Sequence, residues 1–478
     1  MSFPTLGFAA FFLLLALGWH LLPGKLKKPW LLLGCMAFYT LGGGLWLLFL
    51  AGETLAVWLL SRAAETGFRG RKRLWTALGL CVTLGGLVLF KYTRFFLRDL
   101  LGLSAGFLPA WALPLGISFF SFTLAGYLFD VQAGKYPAEK NLLDFAVFVC
   151  FFPTLLSGPI ERGNTLLPQI RQLPSSDGDS RRRGLLRFCW GLCKKLVAAD
   201  IVGLFVDAAY ADPSAVSGGA MLLAVLLYSF QIYLDFSAYS DMASGCAGIL
   251  GFRLTENFRA PYLSQSVKDF WKKWHISLTS WFREYLYFPL GGSRKGRTRT
   301  ILNILIVFAV SGLWHGAALN FLLWGLLNGL YQAAGIVTLP FRQKLWRRLG
   351  LREEGRLLPV IRCFLSFCFI TASWILFRSD SPGQAVYVVK HILLILRYGF
   401  GMDSLLSLIP LRQLRLIPLS LLPFLWEDIR IARGKPRLPA LCSPFAYWGV
   451  LLLLLLAVSV FGIYGLGFDA REFVYFQF

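Results

Sequence analysis

The strongest constraint on this chain is a series of long, unbroken apolar runs. The six clearest lie at residues 3–22, 74–93, 218–234, 301–318, 358–377 and 444–466. A helix needs about 20 residues to cross the hydrocarbon core of a bilayer. Because these runs are continuous and do not alternate with polar residues, they exclude a transmembrane β-barrel. Weaker runs raise the expected total to about ten or more transmembrane or re-entrant helices, so the predicted fold class is an all-α polytopic membrane protein.

The basic charge of the chain fits the topology of a membrane protein better than nucleic acid binding. Lys and Arg total 48 against 25 Asp and Glu, a net charge of +23, yet only 15% of the residues are charged. The basic residues gather in short connectors such as 62–73 and 342–356, which is the positive-inside pattern of cytoplasmic loops. We therefore expect membrane lipids, and no nucleic acid, as partners.

The sequence contains no motif for a metal or a bound cofactor. Its nine cysteines include no C-x-x-C pair, so neither a zinc site nor a disulfide framework is predicted. A P-loop, a dinucleotide fingerprint and a G-x-S-x-G elbow are also missing from the sequence. We therefore expect chemistry that depends on the polar side chains of the protein, without a metal or a permanently bound cofactor.

One histidine lies within apolar sequence, in the segment SGLWHGAALNFLLWG at residues 311–325. Ionisable residues inside a membrane usually face a cavity or the interior of a helix bundle and mark a functional site. Apolar surroundings favour the neutral imidazole, so His315 could accept a proton, and Gly316 beside it leaves room for a substrate. The alternative is a buried histidine satisfied by one hydrogen bond, for example from Ser311. The cost of burying an imidazole favours the functional interpretation.

Another Trp-His pair, Trp274–His275, lies in residues 253–299, where basic and aromatic residues are mixed. Ten Lys or Arg side chains occur there against three acidic ones. This mixture is typical of segments at the membrane interface. We expect His275 to be exposed in this loop, and a catalytic and a structural role are equally supported. His20 and His391, near the ends of apolar runs, are expected to be structural.

A third cluster of polar residues is DFSAYSD at residues 235–241, in which Asp235 and Asp241 bracket Ser237 and Tyr239. Carboxylates in apolar surroundings need hydrogen-bond partners, and the hydroxyls are available donors. The spacing fits a proton relay or a substrate-hydroxyl site as well as a hydrogen-bond network between helices. From the residues alone, the chain is either an intramembrane transferase or a transporter.

Five segments stand out in order along the chain. They are SFFSFTLAGYLFDV (118–131), FFPTLLSGPIER (151–162), DFSAYSDMASG (235–245), PYLSQSVKDFWKKWHISLTSWFREYLYFPLGG (261–292) and GLWHG (312–316). Together they closely resemble the membrane-bound O-acyltransferase family, in particular its bacterial alginate O-acetyltransferase branch, over about residues 5–380. The resemblance implies N-terminal membrane helices at 1–110, a catalytic core at 111–380 with the basic loop 253–299, and C-terminal membrane helices at 381–478.

The resemblance implies an enzyme with His315 as the catalytic residue and His275 as a second active-site residue. It also implies a ring of helices around a central tunnel, in the cytoplasmic membrane of a bacterial cell. An acyl thioester, either acetyl-coenzyme A or the phosphopantetheine of an acyl carrier protein, would enter from the cytoplasm as co-substrate. The acceptor would be a hydroxyl of an exported polysaccharide, and a separate extracytoplasmic acyl-handling protein would be a partner.

Further residues are predicted to bind the substrate or the donor. They are Asp235, Ser237, Tyr239, Asp241, Lys272, Lys273, Trp274, Arg283 and Trp314. Lys272 and Lys273 would contact the phosphates of the donor. Members of the family more usually have glycine at Ala238 and a more polar sequence after Gly316, so the resemblance leaves the acceptor polymer open.

Two alternative functions stay open from the sequence. The D-alanyl transferase of teichoic acid synthesis is a related enzyme that takes its acyl group from a carrier protein. A polysaccharide or lipid exporter would use His315 for proton coupling, although the inverted repeats and paired intramembrane charges typical of exporters are not visible in the sequence. A catalytically inert scaffold would be expected to lack His315.

Overall fold

The computed structural model is helical and describes residues 2–67, 70–103, 113–351, 355–401, 410–438, 443–464 and 473. These residues form no β-strand, which confirms the predicted all-α class. They divide into two compact units. The first unit consists of Met1–Gly191 with Tyr239–Glu256, and the second consists of Leu192–Ala238 with Asn257–Phe478.

The α-helices described in the first unit range in length from four to 20 residues. The helices are Leu6–Leu21 (α1), Gly24–Gly43 (α2), Trp46–Glu65 (α3), Lys72–Leu87 (α4), Ile117–Gln132 (α5), Leu142–Cys150 (α6), Phe152–Leu155 (α7), Gly163–Gln172 (α8) and Gly178–Cys193 (α9). Between α6 and α7 the helix is interrupted at Phe151, because Pro153 stands at the start of α7 and cannot continue the α6 hydrogen-bond pattern.

The second unit carries the Trp274–His275 and Trp314–His315 pairs. Its helices are Asp200–Ala211 (α10), Gly218–Ile249 (α11), Val267–Lys273 (α12), Ile276–Phe282 (α13), Gly296–His315 (α14), Leu319–Val337 (α15), Leu339–Arg348 (α16), Leu357–Arg378 (α17), Pro382–Leu393 (α18), Ile395–Tyr398 (α19), Leu411–Ala432 (α20) and Pro444–Phe461 (α21). The last residues of α11, from Tyr239 onward, belong to the first unit.

Six helices within the described residues are long and apolar enough to cross a membrane. They are Trp46–Glu65, Lys72–Tyr92, Gly218–Ile249, Gly296–His315, Leu357–Arg378 and Pro444–Phe461. The pair α15 and α16, bent by 60° at its junction, would be a seventh span if both pieces belong to one crossing. Five of these six helices coincide with predicted apolar runs, whereas the run at 3–22 contains the 16-residue α1. The chain is therefore a multi-pass membrane protein.

The main chains of α14 and α15 touch, and this contact fixes the end of α14. A Cβ atom on Gly312 of α14 would lie 2.2 Å from the carbonyl oxygen of Phe321, and one on Gly325 of α15 would lie 2.1 Å from that of Phe308. Side chains do not approach main-chain atoms this closely, so both positions need glycine. Small residues allow such close approach between membrane helices. His315 is the last helical residue beyond this contact.

The basic, aromatic segment 253–299 folds as a series of short helices rather than as an open loop. The hydroxyl of Ser266 accepts a hydrogen bond from the Asp269 N–H and so caps the start of α12. α13 continues as a π-helical turn, Arg283–Tyr287. Large aromatic side chains of the segment are buried, so apolar burial draws it inward in spite of its charge.

Candidate active site

His315 is the last residue of α14, and its imidazole is buried in an aromatic cluster. The ring centroids of Trp314, Trp324 and Phe377 lie 5.0, 5.1 and 5.5 Å from that of His315, in edge-on contacts. α14 ends here because Gly316 takes an extended conformation. A Cβ atom at Gly316 would lie 2.2 Å from a neighbouring phenyl ring, so the glycine lets that ring pack against the end of the helix.

His275 precedes α13 in a left-handed backbone conformation, with φ 43° and ψ 55°. For a residue other than glycine such a conformation costs about 1–2 kcal/mol, so the surroundings must hold it. Asn257 provides the hold. Its main-chain oxygen accepts from the Ile276 N–H at 3.0 Å, and its side-chain oxygen accepts from the Ser277 N–H at 3.1 Å and the Ser277 hydroxyl at 2.8 Å.

The expectation that His275 is exposed is wrong, because only 1% of its surface is accessible. The segment turns inward because the rings of Trp271, Trp274 and Trp281 are buried around it. Burial lowers the pKa of His275 to about 3. At any physiological pH, His275 is therefore neutral and can donate or accept a hydrogen bond but carries no charge.

Trp314 connects the two histidines. Its ring centroid lies 5.0 Å from that of His315 and 5.9 Å from that of His275. Phe236 of α11 also packs edge-on against His275, with a centroid distance of 4.7 Å. The Trp274–His275 and Trp314–His315 pairs, 40 residues apart in the sequence, therefore form one buried cluster with two imidazoles in the second unit.

The comparison with known families decides what this cluster belongs to. The family model for MBOAT, the membrane-bound O-acyltransferase family, matches residues 112–378. These residues make up more than half of the chain and contain both histidines. The chain belongs to the membrane-bound O-acyltransferase family.

Named relatives of this acyltransferase support the same reaction class. The probable alginate O-acetylase AlgI of Pseudomonas putida is 36% identical over 390 residues, which cover 80% of this chain and 78% of the relative. The peptidoglycan O-acetyltransferase of Helicobacter pylori is 32% identical over 418 residues, 81% of this chain and 77% of the relative. The teichoic acid D-alanyltransferase of Bacillus subtilis is 26% identical over 274 residues, 55% of this chain and 68% of the relative. The chain is an O-acyltransferase.

The first aspartate of the DFSAYSD motif belongs to a buried ion-pair group of the acyltransferase. The ammonium nitrogen of Lys195 lies 2.8 Å from a carboxylate oxygen of Asp235 and 2.9 Å from one of Asp200. All three side chains are buried in the second unit. Buried charges must be paired in this way, so the ion pairs account for Asp235 without a substrate.

The second aspartate of the motif has different partners, in the first unit. The guanidinium of Arg187 lies 3.0 Å from a carboxylate oxygen of Asp241 and 2.6 Å from one of Glu256. Tyr239 is buried, with its ring 4.7 Å from that of Phe3, while the Ser237 hydroxyl donates to a main-chain oxygen within α11. A role of Asp235, Ser237, Tyr239 and Asp241 in substrate binding stays a prediction.

The predicted donor-binding residues of the acyltransferase fall into two groups. Trp274 and Trp314 are buried in the aromatic cluster around the histidines. Lys272 and Arg283 are exposed, and the partly exposed Lys273 pairs with Asp269 at 2.8 Å. The basic side chains are thus available for a phosphate-bearing molecule at the surface, but they do not reach into the histidine cluster.

Sequence reasoning missed the cations that pair with the buried carboxylates. Lys194 and Lys195 lie together within the apolar sequence WGLCKKLVAADIVG, residues 190–203. Charged residues in such surroundings need partners, so this pair was a usable signal. The role of Asn257 could not be predicted in this way, because the residues that hydrogen-bond to it are brought close only when the segment folds. Within the described residues, no group of three or more potential metal ligands is found.

Proposed function

We propose that the protein transfers an acetyl group from a thioester donor to hydroxyl groups of a cell-surface polysaccharide. Support comes from the membership of the membrane-bound O-acyltransferase family and from the names of two relatives, an alginate O-acetylase and a peptidoglycan O-acetyltransferase. The proposed location is the cytoplasmic membrane of a bacterial cell. The thioester, acetyl-coenzyme A or an acylated carrier protein, would reach the enzyme from the cytoplasm, and an extracytoplasmic acyl-handling protein would cooperate with it.

The proposed architecture is a ring of about ten or more transmembrane or re-entrant helices around a tunnel that contains the histidines. The six or seven candidate spans form part of this number. Helices with mixed apolar and basic sequence, such as α20, and interrupted ones, such as α6 with α7, would contribute the others. A tunnel would let donor and acceptor approach from opposite sides of the membrane.

The observation that carries the proposal is the buried imidazole of His315 at the end of a membrane-spanning helix. In the proposed step, the neutral imidazole takes the proton of the acceptor hydroxyl while the hydroxyl oxygen attacks the thioester carbonyl carbon. A carbon–oxygen bond forms, the carbon–sulfur bond breaks, and the departing thiolate takes the proton back from the imidazolium. General-base assistance of this kind contributes about 10²–10⁴-fold in rate.

The aromatic residues around His315 would exclude water from the thioester. Because Trp314, Trp324 and Phe377 surround the imidazole, hydrolysis would compete poorly with transfer to the acceptor. His275, which is neutral, would donate or accept a hydrogen bond to orient the reactants. It would not exchange a proton with solvent in the working pH range.

A second candidate is D-alanyl transfer from a carrier protein, as in teichoic acid modification. It is supported by the Bacillus subtilis teichoic acid D-alanyltransferase, which matches 55% of this chain at 26% identity. The chemistry at His315 would be the same, since an ester is again formed from a thioester and a hydroxyl. The two candidates differ in the donor.

The test is an acyl-transfer assay on membranes that contain wild type, His315→Ala or the control His20→Ala at matched expression. Labelled acetyl-coenzyme A, an acetylated carrier protein and a D-alanylated carrier protein are supplied in parallel, and ester-linked label is measured in the polysaccharide fraction. We expect His315→Ala to lose transfer by about 10²-fold or more. His20→Ala should keep it, because His20 contacts a main-chain oxygen of α11 outside the cluster.

The donor that supports transfer decides between the two candidates. Label from an acetyl donor supports the first, and label from the D-alanyl carrier alone supports the second. Full transfer by His315→Ala would contradict the assignment of the general base, whichever donor is used.

A further inference from the structure

Two adjacent buried carboxylates lie in the C-terminal part of the chain. Glu427 and Asp428 stand near the end of α20, beyond residue 378, where the family match ends. Both are buried, although most of the neighbouring positions on this helix are exposed. Burying two neighbouring carboxylates is costly unless each has a well-placed partner. Their partners contact residues that pack beside the histidine cluster in the same unit.

Glu427 forms ion pairs with two basic side chains, Lys194 and Arg437. One of its carboxylate oxygens lies 2.7 Å from the ammonium nitrogen of Lys194, and the other accepts from the Arg437 guanidinium at 2.9 Å. The second terminal nitrogen of Arg437 donates to the main-chain oxygen of Phe258 at 2.8 Å. The planar guanidinium therefore connects the carboxylate on α20 to the main chain beside Asn257. Lysine cannot make both contacts with the same geometry.

Asp428 is connected to Phe258 as well, through Tyr233. It accepts a hydrogen bond from the Tyr233 hydroxyl on α11 at 2.6 Å. The Tyr233 ring in turn packs edge-on against the Phe258 ring, with a centroid distance of 5.8 Å. The two carboxylates thus hold the main chain and the side chain of one residue, Phe258.

Phe258 and Asn257 are the residues against which the His275 turn is built. The Phe258 ring packs at 5.2 Å against Trp274 and at 5.1 Å against Phe236, and the Phe236 ring packs at 4.7 Å against His275. Asn257 accepts the hydrogen bonds that keep His275 in its left-handed conformation. A shift of residues 257–258 would therefore move the imidazole.

We propose that the Glu427–Arg437 pair is a positioning element for His275 in acyl transfer. The pair does not touch the imidazole and acts through Phe258 and Asn257. This inference rests on the proposed function for its effect on catalysis, but its effect on the His275 turn is independent of the reaction. The C-terminal region outside the family match would then set the geometry of the active site.

The test compares Arg437→Lys with Arg433→Lys, a substitution of an exposed arginine at the end of the same helix. Arg437→Lys keeps the positive charge beside Glu427. It loses the second guanidinium nitrogen, which donates a hydrogen bond to the Phe258 main-chain oxygen. Four quantities are measured on the full chain: kcat, donor KM, the melting temperature in detergent, and amide hydrogen exchange of residues 274–279.

We expect Arg437→Lys to lower kcat roughly tenfold or more, because small displacements of a reacting group are costly in rate. Donor KM should stay that of the control, the melting temperature should fall by no more than a few degrees for the one lost hydrogen bond, and exchange at residues 274–279 should become faster. Unchanged kcat and unchanged exchange would overturn the proposal. A loss of activity that accompanies a lower melting temperature, without local change at 274–279, would overturn it as well.

The exchange measurement separates this inference from the proposed function. If the wild type transfers no acyl group from any tested donor, the proposed function fails. Faster exchange at 274–279 in Arg437→Lys would still support the positioning contact, and exchange equal to that of Arg433→Lys would overturn it.

Discussion

The Trp274–His275 and Trp314–His315 segments share one aromatic cluster but are held in opposite ways. Trp314 and His315 end a long membrane helix, α14. Its position depends on glycines, because residues without a side chain allow main-chain contact between α14 and α15. Trp274 and His275 lie between two short helices, where hydrogen bonds to Asn257 hold the backbone in a left-handed turn. One histidine is fixed by close packing and the other by hydrogen bonds.

The difference predicts different sensitivities for the two segments. Close packing at α14 and α15 tolerates no added atom, because main-chain atoms cannot move aside as a flexible side chain can. The His275 turn tolerates added bulk better than the loss of a hydrogen-bond acceptor, because an unsatisfied buried donor costs about 1–3 kcal/mol. The substitutions at His275 and Gly325 test the two sides of this contrast, and those at Lys272 and Lys273 test the exposed surface beside it.

The largest effect is expected at His275, for the substitutions His275→Asn and His275→Ala. Asn adopts left-handed backbone conformations more readily than Ala, so His275→Asn should keep the turn, whereas His275→Ala should be the less stable of the two variants. We expect both variants to lose roughly 10²-fold in kcat, since both lack the imidazole that orients the reactants. Transfer rates and melting temperatures in detergent measure the two effects separately. Near-normal transfer by His275→Asn would mean that His275 serves the turn and not the reaction.

The next effect is expected for Gly325→Ala, with Gly335→Ala on the same helix as the matched control. The added methyl group at 325 would lie 2.1 Å from the Phe308 carbonyl oxygen, whereas a Cβ atom at 335 meets nothing within 4 Å. We expect Gly325→Ala to lower the free energy of unfolding by about 1–3 kcal/mol and to reduce transfer. Gly335→Ala should be neutral or slightly stabilising, since Ala favours helix. Equal melting temperatures for the two variants would refute the packing account of the His315 segment.

The smallest effect is expected for the exposed cations beside His275. Lys272→Glu and Lys273→Glu should each raise the donor KM about two- to fivefold at low salt. The effect is small because single exposed charge contacts are weak. The difference should shrink at high ionic strength, since exposed charges are screened. Lys344→Glu, an exposed lysine on α16, is the control. If the donor KM does not change, these lysines do not bind donor phosphates.

The sequence predicted the membrane helices well where apolar residues are continuous. Five of the candidate spans coincide with the six clearest predicted runs, whereas Trp46–Glu65, which carries Glu53 within its apolar sequence, is not among those runs. The break near Pro153 was also predictable, since proline removes a helix hydrogen bond at a known position. Local composition is sufficient for features of this kind.

The site was predictable in its residues but not in its geometry. His315 could be identified because an imidazole in apolar sequence is costly, and the structure buries it. The burial of His275 could not be predicted, since it depends on Asn257 and on rings that meet only after folding. Likewise, Asp235 and Asp241 lie on one helix, yet their partners Lys195 and Arg187 come from elsewhere in the sequence. Tertiary pairing of this kind leaves no local pattern.

The main-chain contact between α14 and α15 has a consequence for how the enzyme could admit its substrates. Two helices that touch at backbone level cannot rotate or slide past one another without collision, because interiors packed this closely do not deform continuously. His315 is therefore fixed relative to α15, and any displacement of the histidine would carry both helices along as one body. A motion that admits donor or acceptor without moving the histidine would have to come from elements that lack such a contact.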